Sequence, residues 1–238
     1  MTEKISADEI RRRFDQDVER FSDETTGQRS IVDAPLVLQM VEDTIAAIHP
    51  MAETLCDIGC GAGNFALRIA RRLPILKITL LDLSGEMLEK ASGRLEKERR
   101  IVENVSQGDV RDWEPPENYF DVMVASAVLH HLRTRAEWQQ VFRKIFHALK
   151  PGGVFLISDL IKHDNPEVER LQKERYARFL IDRDGEEYQK HIFDMVELSD
   201  TPETPAFLIR TLEQTGFASV DILHKNMLFL TLLCRKAI

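Results

Sequence analysis

Leu55-Cys56-Asp57-Ile58-Gly59-Cys60-Gly61-Ala62-Gly63-Asn64-Phe65-Ala66-Leu67 is the stretch that decides the fold of this chain. Leu55, Cys56 and Ile58 read as the end of a buried strand, and Phe65, Ala66, Leu67, Ile69 and Ala70 as a helix that follows it. Between them Gly59, Gly61 and Gly63 allow a tight turn whose backbone N–H groups meet a ligand with no Cβ in the way. The spacing argues against a pyrophosphate. A dinucleotide turn wants G-x-G-x-x-G, its third glycine letting helix and strand pack closely. Here the pattern is G-x-G-x-G, and Asn64 stands where that third glycine would fall. Asp57 also puts a carboxylate at the strand end, poor company for phosphate and good company for an ammonium group. The ligand expected here is cationic and nucleoside-like.

Downstream residues extend the same pattern. Lys77 to Asp82 reads as a second strand, and Asp82 falls where such folds place a carboxylate for the two ribose hydroxyls. Ser84 caps a helix carrying Met87, Leu88 and Leu95. Asp109 closes another parallel strand. Its carboxylate suits the exocyclic amino group of adenine, while the N–H of Val110 suits the ring. Phe120 to Ser126 is apolar throughout, as a strand buried on both faces must be. A capping box, Thr134 with Glu137, then opens a helix running to Lys150, and Pro151-Gly152-Gly153 turns the chain into a fifth strand, Val154 to Asp159. Ala218 to His224 and Met227 to Arg235 fit a closing antiparallel hairpin. This alternation specifies an α/β chain with a doubly wound, seven-stranded, mostly parallel sheet.

Two regions stand outside the alternation. Near the start, Ser6 and Glu9 form a capping box, and Ile10, Phe14, Val18 and Phe21 make one helical stripe. A polar stretch, residues 23–30, follows. Asp33 then opens a helix through His49, with Pro35 in its first turn. Asn165-Pro166 begins a second helical region, continued by Ile192, Phe193 and Val196, after the fifth strand and hence above the ligand edge of the sheet. The expected organisation is one domain: a helical cap (1–50), a ligand-binding core (51–160), a helical lid (161–205), and a final helix with the closing strands (206–238).

Composition narrows the partners. Among 238 residues, 43% are hydrophobic and 30% charged, ordinary for a soluble globular protein. A formal net charge of −8 speaks against a large nucleic-acid footprint, which needs clustered Lys and Arg. Cys56, Cys60 and Cys234 follow neither a redox nor a zinc pattern, and the histidines show no metal spacing. No apolar run is long enough to span a membrane. A cytoplasmic protein acting on a small molecule is expected, with apolar helical stripes that suit a homodimer.

The acid before the glycine turn, the acid ending the second strand, and Leu149-Lys150-Pro151-Gly152-Gly153 before the fifth strand together resemble class I S-adenosylmethionine (SAM) dependent methyltransferases. The resemblance implies SAM as cofactor, held by Asp57, Gly59, Cys60, Gly61, Gly63, Asp82, Leu83, Met87, Asp109, Val110 and Ser126. His130 and His131 follow the fourth strand, where the reacting end of the cofactor should lie. A histidine there suits a general base, and adjacent residues point apart, so at most one faces the pocket. Within the superfamily, FDQDVERF (14–21), QRS (28–30) and MVELSDTPETP (195–205) resemble the carboxy-SAM synthase branch. That branch converts SAM with prephenate into carboxy-SAM for wobble-uridine modification of tRNA, and holds the new carboxylate with a late arginine. Here Thr211 falls at that arginine's place, with Arg210 one residue away, and Ala34-Pro35 replaces the branch's aromatic residue. Methyl transfer to a small molecule is therefore the leading expectation. Synthesis of carboxy-SAM and non-catalytic SAM binding remain open beside it.

Overall fold

The computed structural model describes residues 4–22 and 28–238, so the first part of the expected polar stretch, 23–27, lies outside the described residues. The Ser6 capping box forms and starts α1 (Ala7–Gln16). The single amphipathic helix expected here is broken at Asp17, and α2 (Val18–Ser22) follows in a new direction. Phe14 and Phe21 would stand about 10 Å apart along one straight helix. The break brings their ring centroids to 5.5 Å. Helix α3 (Ala34–Ile48) has Pro35 in its first turn as expected, but Asp33 does not cap it with its side chain. Asp33 sits in the left-handed region, φ +59°, and its carboxylate accepts from Nε2 of His224 (3.0 Å) and Nδ2 of Asn226 (2.8 Å).

The order of core elements is the one the sequence indicates: β1 (Thr54–Ile58), α4 (Asn64–Arg72), β2 (Lys77–Asp82), α5 (Gly85–Lys97), β3 (Ile101–Gln107), β4 (Phe120–Ser126), α6 (Arg135–Ala148) and β5 (Leu149–Leu160). Two bounds differ: β3 ends at Gln107, so Asp109 lies beyond the strand, and α6 stops at Ala148, with β5 already running through Pro151-Gly152-Gly153. Two helices, α7 (Pro166–Asp184) and α8 (Glu186–Ser199), form the insertion, and α9 (Pro205–Thr215), β6 (Ser219–Asn226) and β7 (Phe229–Arg235) close the chain. The seven strands lie in the order β3-β2-β1-β4-β5-β7-β6. Neighbours from β3 to β5 are parallel, and β7 runs antiparallel between β5 and β6. The order reverses between β1 and β4, and the crevice at their C-terminal ends is where an open α/β sheet binds its ligand.

Both faces of the sheet are covered. On one, Leu55, Ile78 and Val122 pack against Val41, Ile45 and Ile69 of α3 and α4. On the other, Met123, Phe155 and Leu232 pack against Trp138, Phe142 and Leu208 of α6 and α9. A third cluster fastens α7 to the sheet's end, with Tyr176 and Leu180 against Val32, Leu160 and Phe229. No helix of the described residues is long and apolar enough to cross a membrane.

Gly63 explains the turn better as packing than as ligand contact. It holds φ +80° at the start of α4, and a Cβ there would lie 2.9 Å from Cβ of Ala91 on α5. Gly93, also on α5, has nothing within 4 Å of such a Cβ. We expect Gly63→Ala to cost about 1–3 kcal/mol in urea unfolding, from backbone strain and crowding together. Gly93→Ala should be neutral or stabilising by up to about 1 kcal/mol, the helix-propensity difference. Equal effects at the two positions would refute this packing role for Gly63.

Candidate functional site

The glycine turn is tied to the end of β2. The N–H groups of Gly59 and Cys60 both donate to the Leu81 carbonyl, at 2.7 and 3.0 Å. A Cβ on Gly59 (φ +63°) would fall 2.3 Å from Cγ2 of Val128, so this glycine admits the loop after β4. Gly61 differs. At φ +49° it has no heavy atom within 4 Å of a built Cβ, and it faces an open crevice. Of the three glycines, Gly59 and Gly61 line the crevice and Gly63 does not.

Three carboxylates surround the turn. Asp82 Oδ2 accepts from the Gly61 N–H (2.8 Å) and Oδ1 from the Ser84 N–H (2.9 Å). Burial raises its pKa, against those N–H groups. Asp57 accepts from the Ala66 N–H at 3.1 Å. Burial pushes Asp57 up to about 7, opposed by that bond and assisted by the charge of Asp82. An ammonium group in the crevice would restore the charged form of both. Asp109 is placed differently from expectation. Its two oxygens are taken by the guanidinium of Arg111, and Oδ1 also accepts the Arg111 N–H at 2.9 Å. Burial works to raise Asp109, but Arg111 holds it below the usual carboxylate range. A purine amino group would have to share it.

The crevice has two lobes that meet at Gly59, Val128 and His131. The first, about 230 Å³, is lined by Asp82, Leu83, Asp109 and Val110 and roofed by Ile5 to Ala7 and Ile10. The second, about 120 Å³, holds Asp57, Cys60, Gly61, Met87 and Ser126 on the sheet side. Phe14, Phe21, Gln28 and Ile31 line it from the N-terminal segment. Ala127, at φ +51°, also lines this lobe, a strained backbone position of the kind that clusters at functional sites. Among the described residues, no side chain of α7 or α8 lines either lobe. The N-terminal helices are the roof, and side chains hold them down. Asn64 Nδ2 donates to the Phe21 carbonyl (3.1 Å), and Ser84 Oγ donates to Asp15 (2.6 Å). The end of α8 supports the roof from outside: the Ile5 N–H donates to the Leu198 carbonyl, and Arg133 donates to the carbonyls of Ser199 and Ile5.

The histidine pair divides as its geometry requires. His130 is buried, with Nδ1 bonded to Asp159 and Nε2 3.7 Å from Asp200. Burial opposes its charge, yet the two carboxylates raise it to about 9, making it a fixed cation. His131 lines both lobes. Its Nδ1 lies 3.2 Å from Asp200 and from the Ser199 carbonyl, while Nε2 is buried without a partner. Burial and the charge of His130 lower its pKa against the pull of Asp200. A neutral ring protonated at Nδ1 and bare at Nε2 is the form that takes up a proton. His130, His131 and Asp200 also bring three ligand-type atoms within 4.8 Å of one another. Sequence spacing suggested no such group, since Asp200 arrives from the far end of the insertion. The contacts above engage Nδ1 of both rings and the Asp200 carboxylate. Arg210, in turn, is exposed on α9 and lines neither lobe, and Thr211 beside it is buried.

Residues 55–153 match the family model described as a methyltransferase domain. The chain is 33% identical over 108 residues to trans-aconitate 2-methyltransferase of Variovorax paradoxus, covering 45% of this chain and 39% of that protein. It thus spans about two fifths of the length of that curated relative. A longer, weaker match joins it to carboxy-S-adenosyl-L-methionine synthase of Hydrogenovibrio crunogenus, 25% identical over 215 residues, covering 88% of this chain and 84% of that one. Among solved structures, human N-acetylserotonin methyltransferase in complex with SAM superposes with a TM-score of 0.57 at 21% identity, covering 89% of this chain and 56% of that chain. That likeness concerns the fold.

Asp57 makes stability depend on pH. Its pKa is raised on folding, so its contribution is fully present below the unfolded value near 3.8 and is lost as pH rises through about 7. Without ligand, unfolding free energy from urea titrations should fall by a few kcal/mol between about pH 5 and pH 8. Asp57→Asn should remove most of that fall while keeping the bond from Ala66. Parallel pH profiles for the two proteins would refute this assignment.

Proposed function

We propose that this chain is a class I SAM-dependent methyltransferase and carries a methyl group from SAM to a small-molecule acceptor. The observation that carries this reading is the open Gly61 backbone between Asp57 and Asp82, with His131 lining both lobes of the crevice. SAM, when bound, supplies a methyl group already activated on a sulfonium. Asp57 suits its ammonium group and Asp82 the ribose hydroxyls. Leu83, Val110 and the Asp109–Arg111 pair form the slot for its base. Met87, Cys60 and Ser126 complete the lining of the second lobe. The protein's further work is to exclude water under α1 and α2 and to hold the acceptor, since positioning alone supplies on the order of 7–11 kcal/mol in favourable cases. His131 is the candidate base. His130, locked between Asp159 and Asp200, is its positioning neighbour.

Carboxy-SAM synthesis is the weaker alternative, despite the longer match to that synthase. An added carboxylate needs a fixed cation in a partly dry pocket, and Arg210 is exposed away from both lobes. Non-catalytic binding leaves the bare, buried nitrogen of His131 without a use. The reading extends to α7 and α8 as an outer lid bracing the roof and to a cytoplasmic enzyme, supported by three buried, unpaired cysteines. It includes a homodimer through α7, whose Val168 and Leu171 are exposed, and no nucleic-acid partner, in keeping with the net charge.

Calorimetry tests the cofactor assignment. SAM should bind, and Asp82→Ala should weaken it by about 1–3 kcal/mol through lost hydrogen bonds. An ammonium group beside Asp57 favours its carboxylate, so binding just below neutral pH should release up to one proton, read from buffers of different ionisation enthalpy. Asp57→Asn should abolish the release. NADH binding tighter than SAM would overturn the assignment.

For the base, His131→Gln should lower kcat by roughly 10²–10⁴-fold once an acceptor is in hand, with SAM affinity little changed. An undiminished rate would exclude His131 as the base.

A further inference from the structure

We infer that Arg94, which lines neither lobe of the crevice, is a positioning residue for the cofactor. Through Asn64 it caps α2 and holds Phe21 down over the second lobe, and so it sets how long the cofactor stays bound. The inference rests on the SAM-binding reading and gives that site its latch.

Arg94 lies on α5, and its Nη1 donates to the Ala62 carbonyl (2.6 Å) and to Oδ1 of Asn64 (2.6 Å). Two hydrogens on that nitrogen match its two acceptors. The contact also decides which way the Asn64 amide points. With Oδ1 against a guanidinium, Nδ2 is left facing the Phe21 carbonyl at 3.1 Å. The flipped amide would set its NH2 against the cation and its oxygen against the carbonyl, unfavourable on both sides. A side chain outside both lobes thus fixes the amide from beneath.

Helix α2 depends on that hold. It has five residues, none of them buried, and helices so short have little stability of their own in water. The Phe21 carbonyl is among its last four, which a helix leaves without an internal partner. Asn64 supplies the partner. Phe21 in turn lines the second lobe, its ring centroid 5.5 Å from that of Phe14. Lys90, one turn before Arg94 on α5, adds a pair with Glu19 (2.7 Å), but Glu19 is exposed and such a pair contributes little.

The same guanidinium reaches the glycine turn, because Ala62 follows Gly61 directly. The turn that would receive the ligand and the ring that covers the second lobe therefore share one anchor. A filled second lobe gives Phe21 a surface to rest on, and the relay from Arg94 keeps Phe21 against it. Two holds on one short helix reinforce each other. Losing the relay loosens the roof in the free protein and shortens the ligand's residence, while the way in stays open.

The test has one arm without ligand and one with it. In the free protein, hydrogen exchange of residues 14–22 should quicken by roughly three- to tenfold in Arg94→Gln and in Asn64→Ala, the loss of about one hydrogen bond, with β1 and β4 unchanged. Asn64→Asp keeps an acceptor for Arg94 and puts an acid in the first turn of α4, which preserves the fold. It also turns an acceptor on the Phe21 carbonyl, and should quicken the same amides. With S-adenosylhomocysteine, surface plasmon resonance on Arg94→Gln should show dissociation faster by roughly three- to tenfold and association within about twofold. The double variant Arg94→Gln, Asn64→Ala should dissociate no faster than Asn64→Ala alone. Failure of both SAM and S-adenosylhomocysteine to bind the unaltered protein would sink the cofactor reading, and the exchange arm would still judge the relay. Unchanged exchange in Arg94→Gln or Asn64→Asp would overturn the inference. So would slower association in place of faster dissociation, additive effects in the double variant, or an equal effect of Lys97→Gln, which removes an exposed cation from the same helix.

Discussion

One carboxylate, that of Asp82, joins the parts of this site. Its two oxygens take the N–H of Gly61 and the N–H of Ser84, so the end of β2 holds the turn after β1 and the start of α5 together. Ser84 then uses its hydroxyl twice, accepting from the Met87 N–H to cap α5 and donating to Asp15 in the roof. A side chain at the tip of one strand thereby fixes the floor, a wall and the cover of the crevice. Buried carboxylates are costly unless their oxygens are satisfied. Here satisfying them requires the backbone to adopt the conformation that opens Gly61 to a ligand.

A second constraint runs through Asp159, His130, Asp200 and His131. His130 is a cation held between Asp159 and Asp200, and burial together with that charge depresses the basicity of its neighbour. Asp200 answers both rings and is itself held down to about 2, burial working against the charge of His130 and the bond from His131. A buried network of this kind stands or falls as a unit, because removing one partner leaves another charge unpaired. It also gives the adjacent histidines different chemistry. One is spent on structure, and the other lines the crevice with one ring nitrogen left unpartnered.

Much of this was legible in the residues. Lys77–Asp82 and Phe120–Ser126 appear as strands with the boundaries the apolar pattern indicates, since burial on both faces leaves little freedom in register. The capping boxes at Ser6 and Thr134 form as written because their hydrogen bonds are local. What escaped is what depends on distant partners. Asp33 looks like a helix cap, yet His224 and Asn226 claim its carboxylate. Asp109 looks available to a base, but Arg111 two residues on engages it. That partner stood in plain view in Asp-Val-Arg. Asn64 announced itself only as a missing glycine, and its anchoring of Phe21 needed the roof to be seen. Gly63 belonged to the packing of α4 on α5, and no local pattern separates that use from ligand contact.

The hold of α8 on the N-terminal segment has a consequence for the order of assembly. Ile5 meets Leu198, and Lys4 reaches the carbonyl of Asp200, so the earliest described residues dock on partners made almost two hundred residues later. During synthesis the chain emerges from its N-terminus, and contacts of such long range form late. The outer brace of the roof is therefore missing until the insertion has left the ribosome. Until then the roof depends on its inner ties alone, Asn64 to the Phe21 carbonyl and Ser84 to Asp15, both made between early parts of the chain. The cover is fastened from beneath first and from outside last.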